Sequence, residues 1–68
     1  MKKVRSSSIK GFEWENNKLI VHFVSGAIYE YLGVPESIWK NILESQISSY
    51  GKWLRAVIIP AYKSNRIK

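Results

Sequence analysis

Leu19-Ile20-Val21-His22-Phe23-Val24-Ser25-Gly26-Ala27-Ile28-Tyr29-Glu30-Tyr31-Leu32 is the stretch that decides the fold class. Leu19, Val21 and Phe23 alternate with Ile20, His22 and Val24, which is the period of a strand with two different faces. Ser25-Gly26 interrupts the run as a turn, and Ala27–Leu32 resumes it as a second strand. Upstream, Phe12 and Trp14 stand two apart in Ile9–Glu15, and Asn16-Asn17 supplies a tight turn into Leu19. Three consecutive strands with short turns predict an antiparallel meander.

The pairing of the second hairpin fixes which side chains are inside, because a one-residue slip moves a whole strand to the other face. A two-residue turn at Ser25-Gly26 pairs Val24 with Ala27 and sets Glu30 opposite Val21, among Phe12, Trp14, Leu19 and Phe23. An unpaired carboxylate buried there costs roughly several kcal/mol. A three-residue turn, Ser25-Gly26-Ala27, pairs Val24 with Ile28 and sets Glu30 opposite His22, on the outer face near Glu13. This second register is the expected one. It sends Tyr29 and Tyr31 to the core face, with their hydroxyls at the rim.

After Leu32 the period changes. In Val34-Pro35-Glu36, Pro suits the first helical position and Glu complements the helix dipole. Ile38, Trp39, Ile42 and Leu43 then form a helical apolar stripe. Ser49 is the expected N-cap of a second helix that buries Tyr50, Trp53, Leu54, Val57 and Ile58, and Pro60 stops it. The predicted class is α+β, a three-stranded antiparallel meander followed by two helices packed on one face (β-β-β-α-α). It forms one domain over residues 1–68, with a core of about 6–62 between basic tails 1–5 and 63–68.

With 68 residues the chain must fill a small core with large side chains, and 3 Trp, 4 Tyr and 2 Phe supply them. There is no Cys, and His22 is the single His, so neither disulfides nor a zinc site staple the fold. Met1-Lys2-Lys3-Val4-Arg5 begins like a signal peptide but runs into Ser6-Ser7-Ser8 rather than an apolar stretch. No segment has the apolar length of a membrane span. The expectation is a soluble, unprocessed, cytoplasmic protein.

The net charge is +6, from 11 basic and 5 acidic residues. Lys2, Lys3, Arg5, Lys63, Arg66 and Lys68 lie in the tails, whereas residues 6–62 carry equal numbers of each sign. Basic tails suit polyanions through salt-dependent phosphate contacts, and they equally keep a small protein in solution.

The recurrent residues Ser7-Ser8-x-Ile, Leu19-x-Val21-x-Phe23, Gly26, Tyr29-x-Tyr31-x-Gly33-Val34-Pro35 and Ser49-x-Gly51-x-Trp53-Leu54, followed by Ile58 and Tyr62, resemble the KTSC domain. That family is named for a segment at the C-terminus of some lysyl-tRNA synthetases, and it also occurs as free-standing bacterial and phage proteins. The resemblance covers about residues 6–62. It implies no established activity, and it suggests RNA binding through the family's attachment to a tRNA-handling enzyme. The chain departs from the pattern with Trp14 in place of a Tyr and Arg55 in place of an Asn. It also has Ile59-Pro60-Ala61 where the family is polar and Arg-rich, which removes a basic position that Arg55 and the C-terminal tail can replace.

Chemistry for catalysis is sparse. Without Cys or Asp there is neither a thiol nucleophile nor a Ser-His-Asp set, and Gly26, Gly33 and Gly51 form no phosphate-cradling run. Glu13 and Glu15 share a strand face and read as solvated, and His22 reads as a half-exposed sheet residue near Glu30. The expected protein is a non-catalytic binding module with no cofactor or metal. Nucleic acid, RNA first, is the expected partner, held by phosphate contacts from Lys2, Lys3, Arg5, Ser49, Gly51, Lys52, Arg55, Lys63, Arg66 and Lys68. Tyr29, Tyr31 and Tyr50 are candidates for base stacking. The alternative is a protein-interaction module of phage or mobile-element type, using an exposed aromatic patch around Trp39 or Trp53.

Overall fold

A computed structural model describes residues 1–44 and 47–68. Asn16 and Asn17 both take positive φ, 50° and 61°, as a type I′ hairpin requires. They join β2, Ile9–Glu15, to β3, Lys18–Phe23, with Phe12 opposite Val21 and Trp14 opposite Leu19. β4, Ile28–Leu32, pairs on the far side of β3, completing the expected meander.

Among the described residues the sheet has five strands, not three. The N-terminal tail forms β1, Lys2–Lys3, against β2, and the C-terminal tail forms β5, Ser64–Arg66, against β4. The strand order is β1-β2-β3-β4-β5, antiparallel throughout. Neither tail has a hydrophobic period of its own; each borrows its conformation from the unpaired backbone of an edge strand. On the N-terminal side the approach depends on Gly11, which lies opposite Lys3. A Cβ at Gly11 would stand 2.8 Å from the Lys2 carbonyl oxygen and 2.9 Å from the Met1 side chain.

The second hairpin differs from the expected register by two residues. Phe23 N–H bonds to Ala27 O at 2.9 Å and Gly26 N–H to Phe23 O at 3.0 Å, so the loop is Val24-Ser25-Gly26 rather than Ser25-Gly26-Ala27. A three-residue loop puts its left-handed residue last, and Gly26, with φ 98°, takes that place. Glu30 therefore faces Ile20 rather than His22, and His22 faces Ile28. A shift of two conserves the faces: Tyr29 pairs with Val21 and Tyr31 with Leu19, on the core side.

α1 spans Glu36–Leu43, and Pro35 sits just outside it in extended conformation (φ −72°, ψ 158°), not at the first helical position. Ile42 is fully buried and Ile38 and Trp39 half-buried, but Leu43, expected in the stripe, is 46% exposed. α2, Tyr50–Trp53, runs directly into a π-helical turn over Leu54–Ile58. There Ile59 N–H reaches back five residues to Leu54 O at 2.9 Å, immediately before Pro60. The widened turn keeps Leu54 and Ile58 inside and leaves Val57, expected to be buried, on the surface. Ser49 occupies the N-cap position, but its hydroxyl makes no capping bond.

The core lies between one sheet face and the two helices. Phe12, Leu19, Val21, Val34, Ile42 and Ile58 are fully buried, and Trp14 ties β2 to the α1 approach by donating Nε1–H to Val34 O at 2.9 Å. Gly11→Ala should lower stability by about 1–3 kcal/mol, the usual cost of overpacking. It should also accelerate hydrogen exchange at the Val4 amide, which bonds to Lys10 O. Urea titration and NMR exchange measure both, and an unchanged midpoint with Val4 still protected would refute the account of Gly11.

Candidate nucleic-acid interface

β1 is followed by Val4–Ser8, which turns back into β2. The Ser6 hydroxyl organises the turn by accepting the Ser8 and Ile9 backbone N–H groups, each at 3.3 Å. Ser8 O then accepts Val24 N–H at 2.9 Å, which anchors the segment to the neighbouring loop. Gly51 lies against this turn, since a Cβ there would stand 3.3 Å from the Ser8 hydroxyl. The close approach brings the start of α2 beside residues 5–8.

Two open cavities of about 330 Å3 each result. Lys2, Lys3, Val4 and Arg5 line the first, with Ile47, Ser48 and Tyr50 opposite. The second lies between Arg5-Ser6-Ser7-Ser8 and the Ser48–Lys52 segment with Arg55. Arg5, Ser48 and Tyr50 line both, so the two cavities adjoin in the groove between residues 2–8 and 47–55. Lys2, Lys3, Arg5, Lys52 and Arg55 line it, and among the described residues no carboxylate does. Ser49 and Gly51 belong to it as expected.

The expected single surface is divided, however. Lys63, Arg66 and Lys68 follow β4 at the opposite edge of the sheet. Ser6, Ser7, Ser8 and Ser48 are groove residues that the sequence reading did not select. Their signal was the Ser6-Ser7-Ser8 run, together with Gly51, which packs against the Ser8 hydroxyl.

The tyrosines offer little stacking surface. Tyr31 is 4% exposed and Tyr50 8%, the latter tilted against Phe12 with centroids 5.6 Å apart. Tyr29 is half-buried, edge-on to Phe23 at 5.7 Å, with the Arg66 guanidinium 5.8 Å from its centroid. Burial, with a smaller contribution from Tyr29, raises the Tyr31 phenol above its ordinary value. On the outer face His22 donates Nε2–H to Glu13 Oε2 at 2.7 Å, rather than lying near Glu30, which receives Asn65 Nδ2–H at 3.4 Å. Among the described residues no three His, Cys, Asp or Glu side chains are grouped to hold a metal ion, and no helix is long and apolar enough to cross a membrane.

Fold and groove together define a small α+β domain with a cationic groove along one sheet edge. The KTSC domain model matches residues 5–62, and the chain belongs to the KTSC domain family. A crystal structure of a KTSC domain protein from Yersinia pestis is similar, with a TM-score of 0.86 and 29% identity. The alignment covers 98% of this chain and 94% of that one. Comparison with curated proteins finds no match.

Because the folded state holds Tyr31 protonated more firmly than the unfolded chain does, its contribution to stability is complete below pH about 10, the ordinary tyrosine value. It is lost as pH rises through the folded-state value. Urea midpoints should fall above pH about 10 in the wild type, and Tyr31→Phe should fall less over the same range. Parallel curves for the two proteins would contradict this.

Proposed function

We propose that this domain binds RNA, without catalysing a reaction on it, through phosphate contacts in the groove between residues 2–8 and 48–55. The observation that carries the proposal is that Lys2, Lys3, Arg5, Lys52 and Arg55 line two adjoining cavities which, among the described residues, no carboxylate lines. Arg5 and Arg55 can each present a planar fork to phosphate oxygens, and the lysines act as point charges. Ser7 and Ser8, both exposed, add hydroxyl donors at the same wall. The buried rings of Tyr31 and Tyr50 favour recognition of the backbone over recognition of bases.

Binding of this kind weakens linearly in log salt, by about 0.7 of a slope unit per phosphate contact on single-stranded RNA. Lys52→Ala with Arg55→Ala should weaken binding to unrelated RNA sequences alike and flatten the slope by about one to two units. Both residues are exposed, so the thermal midpoint should hardly change. Fluorescence anisotropy over a salt series tests this. Undetectable binding of the wild type to single-stranded RNA, duplex RNA and tRNA at low salt would end the proposal.

A further inference from the structure

Strand order separates the basic residues into two sets. β1 and β5 are the two outermost strands, four inter-strand steps apart, which is roughly 19 Å at the usual strand spacing. The molecule itself measures 26 × 24 × 22 Å, so the two edges lie on opposite sides of it.

The C-terminal set is ordered. Leu32 N–H bonds to Lys63 O at 2.9 Å, Ile67 N–H to Ile28 O at 2.7 Å, and Ile28 N–H to Lys68 O at 2.9 Å. This holds residues 63–68 along β4. Arg66 is fixed further by its position over Tyr29 and by donating Nε–H to Lys68 O at 3.2 Å. Lys63, Arg66 and Lys68 all remain exposed. Backbone already held in place, and the Arg66 side chain with it, loses less freedom when a ligand arrives.

Between the two edges the outer sheet face carries three carboxylates against one lysine. Glu13, Ile20 and Glu30 form one paired row across β2, β3 and β4, and Glu15 lies on the same face as Glu13, opposite Lys18. A phosphate backbone running directly from one edge to the other would cross these carboxylates.

We infer that the domain carries two separate polyanion sites, the groove of Lys2, Lys3, Arg5, Lys52 and Arg55 and the β5 edge of Lys63, Arg66 and Lys68, and that one molecule bridges two RNA segments. The inference rests on the RNA-binding proposal and adds a valence of two to it. Each site follows the same chemistry, cation to phosphate, and the sheet between them acts as a rigid spacer.

The test uses two non-complementary, short single-stranded RNAs, one carrying a donor dye and the other an acceptor, mixed with the full chain at low salt. Energy transfer should appear with RNA in excess and collapse when protein is in excess, because each segment then occupies its own molecule. Sedimentation should give complexes of one protein with two RNAs. Lys63→Ala with Arg66→Ala and Lys68→Ala should abolish the transfer while leaving the anisotropy signal of single-segment binding. Lys63→Gln with Lys68→Gln keeps Arg66 over Tyr29, and should reduce the transfer even if the triple variant is unstable. Binding with one RNA per protein, transfer that survives the Lys63/Lys68 change, or transfer carried by protein dimers would overturn the bridging inference alone. No binding of either RNA would overturn the underlying proposal instead.

Discussion

Phe12 is the ring on which both layers close. It is fully buried, tilted against Tyr50 and edge-on to Trp53, with centroids 5.6 Å and 6.0 Å away. Its strand neighbours are Lys2 on one side and Val21 on the other. The same residue therefore fixes the start of α2 over the sheet and stands beside the N-terminal strand. The distance between those two segments, and so the existence of the groove between them, follows from this packing. In a domain of this size the loss of one such aromatic removes a large share of the marginal net stability.

The edge strands give the basic tails a structural as well as an electrostatic role. An open sheet edge invites pairing with another chain, and charged residues on short edge strands discourage it. β1 carries Lys2 and Lys3, and β5 ends on Arg66. The same cations that discourage edge-to-edge pairing are those proposed to meet phosphate. Folding positions the backbone that carries them, in contrast to flexible tails, which must be ordered when a ligand arrives.

Much of the architecture was legible from residue pattern. Alternation located β2, β3 and β4, Asn16-Asn17 located a turn whose two residues take left-handed backbone, and the cost of burying Glu30 chose the correct face for Tyr29 and Tyr31. Expectation departed from structure where one local rule competed with another. Gly26 was placed at the middle of its loop although its positive φ suits the last position. Val57 was placed on a regular α-helical stripe, but the hydrogen-bond ladder widens before Pro60 and carries it to the surface. The KTSC resemblance, read from the Tyr-x-Tyr and Val-Pro residues, agrees with the family match over residues 5–62.

By itself the sequence determined the three central strands, the two helical segments, the inward face of the meander, and that the surplus charge lies at the two ends. These are local properties, set by side-chain period, turn conformation and the cost of burying charge. Tertiary structure alone decided that the tails become strands, that Arg5 lines one cavity with Lys52 and Arg55, and that Lys63, Arg66 and Lys68 stand across the sheet from them. Short basic segments have no period from which pairing can be read. Their places depend on unpaired backbone at the two edges of a sheet, and on Gly11 and Gly51 leaving room for close approach, none of which exists until the chain has folded.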